Sequence, residues 1–157
     1  MSPYTITITI YDDNHRLRLD KTKTKGWHYA NGATWSTPPI QQGQWDANPY
    51  DPEAKYTLTM GGSGTSGVLR FVCKNGSAFM VAVGVHNWKR WCHIVTDLSS
   101  SDTTSTILPT YYGGSRDENL WKQRDHISRT DSNGSKYKLE FTQKTGHNLT
   151  ADLFVDI

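Results

Sequence analysis

Hydrophobic spacing in this chain has a period of two. Tyr4, Ile6, Ile8 and Ile10 alternate with Thr5, Thr7 and Thr9. Successive side chains of a strand point to opposite faces, so the pattern writes one apolar face and one hydroxylated face. Tyr137, Leu139 and Phe141 repeat the alternation, and Leu149 to Ile157 closes the chain as another strand. Leu69 to Cys73 and Phe79 to Val85 are apolar runs on either side of Asn75-Gly76, which predicts a hairpin with a two-residue turn. Asn31-Gly32, between Trp27 and Trp35, and Asn133-Gly134 are further turn signals. About eight to ten strands are expected, which makes the chain all-β and favours a β-sandwich.

Helix signal is confined to the stretch between Ser99 and Ser128. Asp102 is placed to cap a short helix running to Ile107, which Pro109 would end, and Asp117 to Gln123 suits a second, polar helix. Two short helices this late in an all-β chain predict one helical connection between sheets. From Ser36 to Lys55 the chain carries Pro38, Pro39, Pro49 and Pro52, four of its six prolines, and reads as a long surface loop.

A length of 157 residues suits a single domain over 1–157 with its own core. Hydrophobic residues make up 35% and mean hydropathy is −0.66, so the core must be compact and the surface polar. No apolar run approaches the ~18–20 residues of a membrane helix. Met-Ser-Pro-Tyr leads directly into a strand pattern, with no basic or apolar leader, and a cytoplasmic location is the expectation. A net charge of +2 is too mild to predict nucleic-acid binding. Cys73 and Cys92 each sit in or beside an apolar run and are expected as buried thiols. Asn75, Asn133 and Asn148 begin N-x-S/T sequons that read as accidents of turn composition.

Two segments carry chemistry. Met60-Gly61-Gly62-Ser63-Gly64-Thr65-Ser66-Gly67 is a glycine-dense bend lined with hydroxyls. Gly62, Gly64 and Gly67 fit the dinucleotide fingerprint G-x-G-x-x-G, but that motif needs a helix after it, and Val68 to Cys73 is a strand pattern. The remaining readings are a strand–turn–strand bend needing positive φ and a ligand loop offering backbone N–H groups. Gly84-Val85-His86-Asn87-Trp88-Lys89-Arg90-Trp91 places an imidazole and a carboxamide beside two indoles and two cations. His86 and Asn87 are either a strand-end histidine with a turn former or a pair facing the glycine bend. Neutral groups that both donate and accept match the hydroxyls of a sugar. If residues 86–91 stay extended, Trp88 and Trp91 point to opposite faces and at least one belongs to the core. Catalytic signals are poor: the six histidines are scattered, and the adjacent Asp117 and Glu118 would diverge on a helix. No cofactor is implied.

These same residues resemble the fungal fruit-body lectins of the common mushroom and the boletes. The matching runs include Trp27-x-Tyr29-Ala30-Asn31-Gly32-x-Thr34-Trp35, the glycine run, Gly84-Val85-His86-Asn87-x-Lys89-Arg90-Trp91-Cys92 and Asn148-Leu149-x-Ala151-x-Leu153. The resemblance implies an actinoporin-like β-sandwich whose two sheets are joined by a helix–loop–helix. It also implies a homotetrameric, non-enzymatic lectin for β-galactosyl-1,3-N-acetylgalactosamine (the T antigen of O-glycans), with a defensive role. Its galactosamine site maps onto Ala30, Ser63, Gly64, His86 and Asn87, with the Ala30 and Gly64 N–H groups expected as donors. Its second site, for N-acetylglucosamine, maps onto His93, Ile94, Thr96 and Arg116. There an aspartate has become His93 and a tyrosine falls near Ile127, so that site is expected to be weak, absent or altered. A membrane-active, cytolysin-like protein of the same fold is the alternative, against which the strand at the N-terminus counts. Binding of nucleic acid and membrane insertion are not expected.

Overall fold

The computed structural model describes residues 3–11, 17–19, 27–30, 33–35 and 53–157. The Asn31-Gly32 turn and most of the proline-rich loop lie outside the described residues. Eleven strands occur in them: β1 (Tyr4–Tyr11), β2 (Leu17–Leu19), β3 (Trp27–Ala30), β4 (Thr34–Trp35), β5 (Glu53–Met60), β6 (Thr65–Cys73), β7 (Ala78–His86), β8 (Lys89–Val95), β9 (His126–Thr130), β10 (Lys136–Gln143) and β11 (Asn148–Asp156). Between β8 and β9 lie helix α1 (Thr104–Ile107), a 3-10 turn (Leu108–Tyr111) and helix α2 (Glu118–Lys122).

Six strands form one sheet in the order β4-β5-β1-β11-β10-β9, and the second sheet runs β2-β6-β7-β8 with β3 also pairing to β6. Only β1 and β11 pair in parallel among the described strands, with Ile6 opposite Leu149 and Ile8 opposite Ala151. The period-two pattern decides which face turns inward. Ile6, Ile8 and Ile10 are fully buried, whereas Thr5, Thr7 and Thr9 are only half-buried on the outer face. There the hydroxyls pair across strands, Thr7 Oγ1 with Thr57 Oγ1 at 3.1 Å and Thr142 Oγ1 with Thr150 Oγ1 at 2.6 Å. The inner faces meet in one core built from Tyr56, Leu58, Leu139, Phe141 and Leu153 against Leu69, Phe71, Phe79, Val81 and Val83. Both cysteines are buried thiols outside any disulfide, as expected.

The second sheet is buried on both faces, which explains why β6 and β7 read as continuous apolar runs. Its outer face, with Val68, Met80, Ala82 and Trp91, is covered by Ile107, Leu108, Tyr111 and Leu120 of the helical connector. Arg70 of β6, itself buried, holds that connector down: its Nε donates to the Asp102 carbonyl at 2.9 Å and a terminal nitrogen to the Ser99 carbonyl at 3.1 Å. The connector joins β8 of one sheet to β9 of the other, as expected.

Local details differ from the sequence expectations. The β6–β7 hairpin closes on three residues, not two: Gly76 (φ +91) donates to the Cys73 carbonyl at 2.9 Å and Cys73 N–H to the Ser77 carbonyl at 2.7 Å. That is a tight turn followed by a left-handed bulge residue. Helix α1 is capped by Thr103, with Thr106 returning the bond, and not by Asp102, whose carboxylate instead accepts from Ser99 N–H at 2.8 Å.

Gly84 shows how close the connector face packs. A Cβ there would sit 2.5 Å from the Thr65 carbonyl oxygen and 2.8 Å from the Trp91 indole nitrogen. Gly84→Ala is therefore expected to destabilise the protein by ~1–3 kcal/mol. Urea unfolding measures this, with Gly61→Ala, where a Cβ meets nothing within 4 Å, as the control.

Candidate functional site

The glycine run is not a hairpin bend. It links β5 of the six-stranded sheet to β6 of the other sheet, so Gly61–Gly64 crosses one end of the sandwich. Gly64 has φ +86 with open space around its Cβ position, so its backbone conformation, not room, selects glycine. The crossover is pinned to the neighbouring β7–β8 hairpin. Gly64 N–H donates to the Val85 carbonyl at 2.8 Å, and Trp88 N–H donates to Ser63 Oγ at 3.0 Å. Thr65 Oγ1 donates to the Gly62 carbonyl at 2.8 Å and stiffens the bend from within.

Residues 86–91 do not stay extended. His86 pairs with Lys89, and Asn87 (φ +49) and Trp88 (φ +69) form the two-residue turn between them. Two successive positive φ values mark the mirror-image turn that suits a twisted hairpin. Reversal puts Trp91 fully inside the connector core and leaves Trp88 69% exposed. Asparagine tolerates this conformation, but a bulky indole there is strained and uncovered at once.

The five primary positions lie at one end of the smaller sheet, where β3 ends, β6 begins and β7 turns into β8. Ala30 ends β3 opposite Ser66, two residues beyond Gly64. Ser63 and Gly64 abut the Asn87-Trp88 turn, and His86 ends β7. One expectation is corrected: the Gly64 N–H is spent on Val85, so this residue shapes the bend and is not a free donor. Ser63 keeps its hydroxyl proton, because Oγ is the acceptor from Trp88. His86 is half-buried, and its Nε2 is buried with no hydrogen-bond partner among the described residues. That atom is closed off from solvent, so in this arrangement the rest of the ring, not Nε2, is what the corner presents. The Asn87 carboxamide is exposed.

Sequence reasoning missed two contributors from the connector. Trp121 of α2, 66% exposed, meets the His86 ring edge-on at 4.4 Å and 78°. Gln123, left-handed at φ +47, ends that helix and donates its Nε2 to the His86 carbonyl at 2.8 Å. The only sequence signal was an indole next to Leu120 in a short, mostly polar helix. The result is a corner of neutral donors and acceptors flanked by aromatic faces, suited to a neutral hydroxylated ligand.

The second set of positions is placed less favourably. His93 and Arg116 are near enough to interact, and burial, then the cations Arg129, Arg124, Arg116 and Lys122, lowers the His93 pKa to about 3. His93 Nδ1 shares a hydrogen bond with the Tyr111 hydroxyl at 2.7 Å. Ile94 and Ile127 belong to the intersheet core, so neither side chain faces outward. Thr96 Oγ1 donates to Asp97 Oδ2 at 3.4 Å, and an Arg116 terminal nitrogen to Thr110 Oγ1 at 3.1 Å. Where an anionic acceptor was anticipated in the pattern, this chain has a neutral imidazole already bonded to a phenol.

Comparison with known proteins agrees with this geometry. The family model for fungal fruit body lectins matches residues 1–153. The chain is 39% identical over 152 residues to the Boletus edulis lectin, covering 96% of each. Among solved structures, the wild-type Xerocomus chrysenteron lectin superposes with a TM-score of 0.79 at 39% identity, over 99% of this chain and 100% of that one. The lipid-binding protein Nakanori matches with a TM-score of 0.54 at 8% identity, over 100% of this chain and 73% of that one, a likeness of fold alone. The architecture is the actinoporin-like sandwich that the sequence resemblance implied. The chain belongs to the fungal fruit body lectin family.

Proposed function

We propose that this protein is a non-enzymatic lectin that binds β-galactosyl-1,3-N-acetylgalactosamine, and terminal N-acetylgalactosamine, on O-glycans through Ala30, Ser63, Gly64, His86 and Asn87. The observation that carries the reading is the junction of Ser63 with the β7–β8 turn, at 3.0 Å from the Trp88 N–H, beside the exposed Asn87 and the half-buried His86. Ser63 O–H, the imidazole and the carboxamide together can satisfy a hydroxyl that both gives and takes a proton. A sugar with the epimeric hydroxyl would leave those groups unpaired, which is the basis of discrimination. A shallow site of this kind gives a dissociation constant of roughly 0.01–1 mM, or about 4–7 kcal/mol. Assembly as a homotetramer would raise avidity on a glycan-bearing surface. Retention in the cytoplasm and defence against animals displaying the glycan complete the reading.

We further propose that the N-acetylglucosamine site is weak or lost, because His93 cannot act as an anionic acceptor and Ile94 and Ile127 are turned inward.

Asn87→Gly keeps the turn conformation and removes only the carboxamide. It is expected to weaken disaccharide binding by about tenfold with little change in stability; calorimetric titration reads both, and unchanged affinity would remove Asn87 from the site. Saturating N-acetylglucosamine should leave disaccharide binding unaltered and give no heat of its own; a clear isotherm would overturn the second-site reading. The folded His93 takes up a proton near pH 3, the unfolded one near its ordinary 6.5. The unfolded chain thus binds more protons between those values, and stability should fall as pH drops through that window. His93→Asn should flatten this part of the urea-unfolding profile.

A further inference from the structure

Beside the proposed sugar site lies a second cavity that the lectin reading does not use. It encloses about 390 Å³ where the β7–β8 hairpin tip meets the β10–β11 turn, and Tyr4, Trp88, Lys89, Arg90, Lys144 and Gly146 line it. That volume falls within the ~300–1,000 Å³ of small-ligand pockets. Three of these side chains are cations and none is a carboxylate.

The cations are incompletely used. Arg90 is held by its terminal nitrogens, one donating to the Gln123 carbonyl at 3.3 Å and one 3.8 Å from Asp125, while its Nε–H is buried with no acceptor among the described residues. Lys144 lies 3.2 Å from the same Asp125. Asp125 stands behind the cavity and also contacts His126 Nδ1 at 2.7 Å, so one carboxylate serves two lining cations. Lys89 is exposed and has no ion-pair partner among the described residues. Trp88 is the wall common to both places: its N–H bonds Ser63, and its exposed indole lines the cationic cavity.

We propose that this cavity receives an acidic substituent, a carboxylate or sulfate, on a saccharide held at the Ser63–His86–Asn87 corner. The proposal rests on the lectin reading and adds the ligand class: acidic O-glycans over neutral ones. Lys89 and Lys144 would supply the charge, and Trp88 an apolar face for the ring that carries the acid.

Calorimetric titration of the whole chain with three probes tests it. These are the neutral disaccharide, the disaccharide sulfated on galactose, and the disaccharide extended by N-acetylneuraminic acid. At low salt at least one acidic probe should bind about three- to tenfold tighter than the neutral one, and the advantage should shrink as salt rises. Which acidic probe gains tells sulfate from carboxylate. The double variant Lys89→Gln, Lys144→Gln should abolish the advantage and leave neutral binding unchanged; Arg90 stays intact because it anchors the connector. Neutral binding with no acidic advantage, or an advantage that survives in the double variant, overturns the cavity assignment alone. Failure of all three probes to bind overturns the lectin reading with it.

Discussion

Burial of the smaller sheet on both faces is the constraint from which the other features follow. One face meets the Ile and Leu stripes of the six-stranded sheet, and the other lies under the helical connector. A strand buried on two sides has only its ends left for solvent, so the proposed binding groups collect where β6 begins and β7 turns into β8. Trp91 shows the logic: its indole fills the connector face opposite Gly84, and its ring sits 5.1 Å from that of Tyr111. With these anchors rigid, the crossover and the hairpin tip are held against each other by two short backbone-donated bonds. A site carried on such ends is organised before any ligand arrives, which lowers the entropic cost of binding.

Much of this was legible in the residues. Alternation along β1 and β10 fixed which faces are inward, and the late helical signal located the connector. The residues alone left open whether the His-Asn pair faces the glycine run, and only the family resemblance placed them together. What the sequence could not convey was which sheet each strand joins. β5 and β6 are neighbours in sequence, yet they sit in different sheets, because β5 pairs with β1 and β6 with β7. Local pattern is blind to such long-range pairing. Likewise a turn at Asn87-Trp88 was hidden because tryptophan is a poor choice for positive φ, and only the pairing of His86 with Lys89 reveals it. The role of Trp121 depended on a helix packing beside His86, a tertiary contact with no local signature.

Charge is distributed unevenly despite the small net value. Ser63, His86 and Asn87 include no lysine, arginine or carboxylate, whereas Arg129, Arg124, Arg116 and Lys122 all act on His93 of β8. Asp125 contacts His126, Lys144 and Arg90, and these partners hold its pKa down to about 2. That carboxylate holds together side chains from β8, from β9 and from the β10–β11 turn.

The parallel pairing of β1 with β11 has a consequence for how the molecule is made. Thr5 Oγ1 bonds Asn148 Oδ1 across 143 positions of chain, in the middle of the larger sheet. During synthesis on the ribosome β1 can pair with β5 early, but its other edge stays open until β11 has emerged. Contacts this distant in sequence close slowly. The nascent chain therefore spends most of its translation with a hydroxyl-and-isoleucine ribbon unzipped along one side, the state in which it is most exposed to chaperones and to mispairing with another copy.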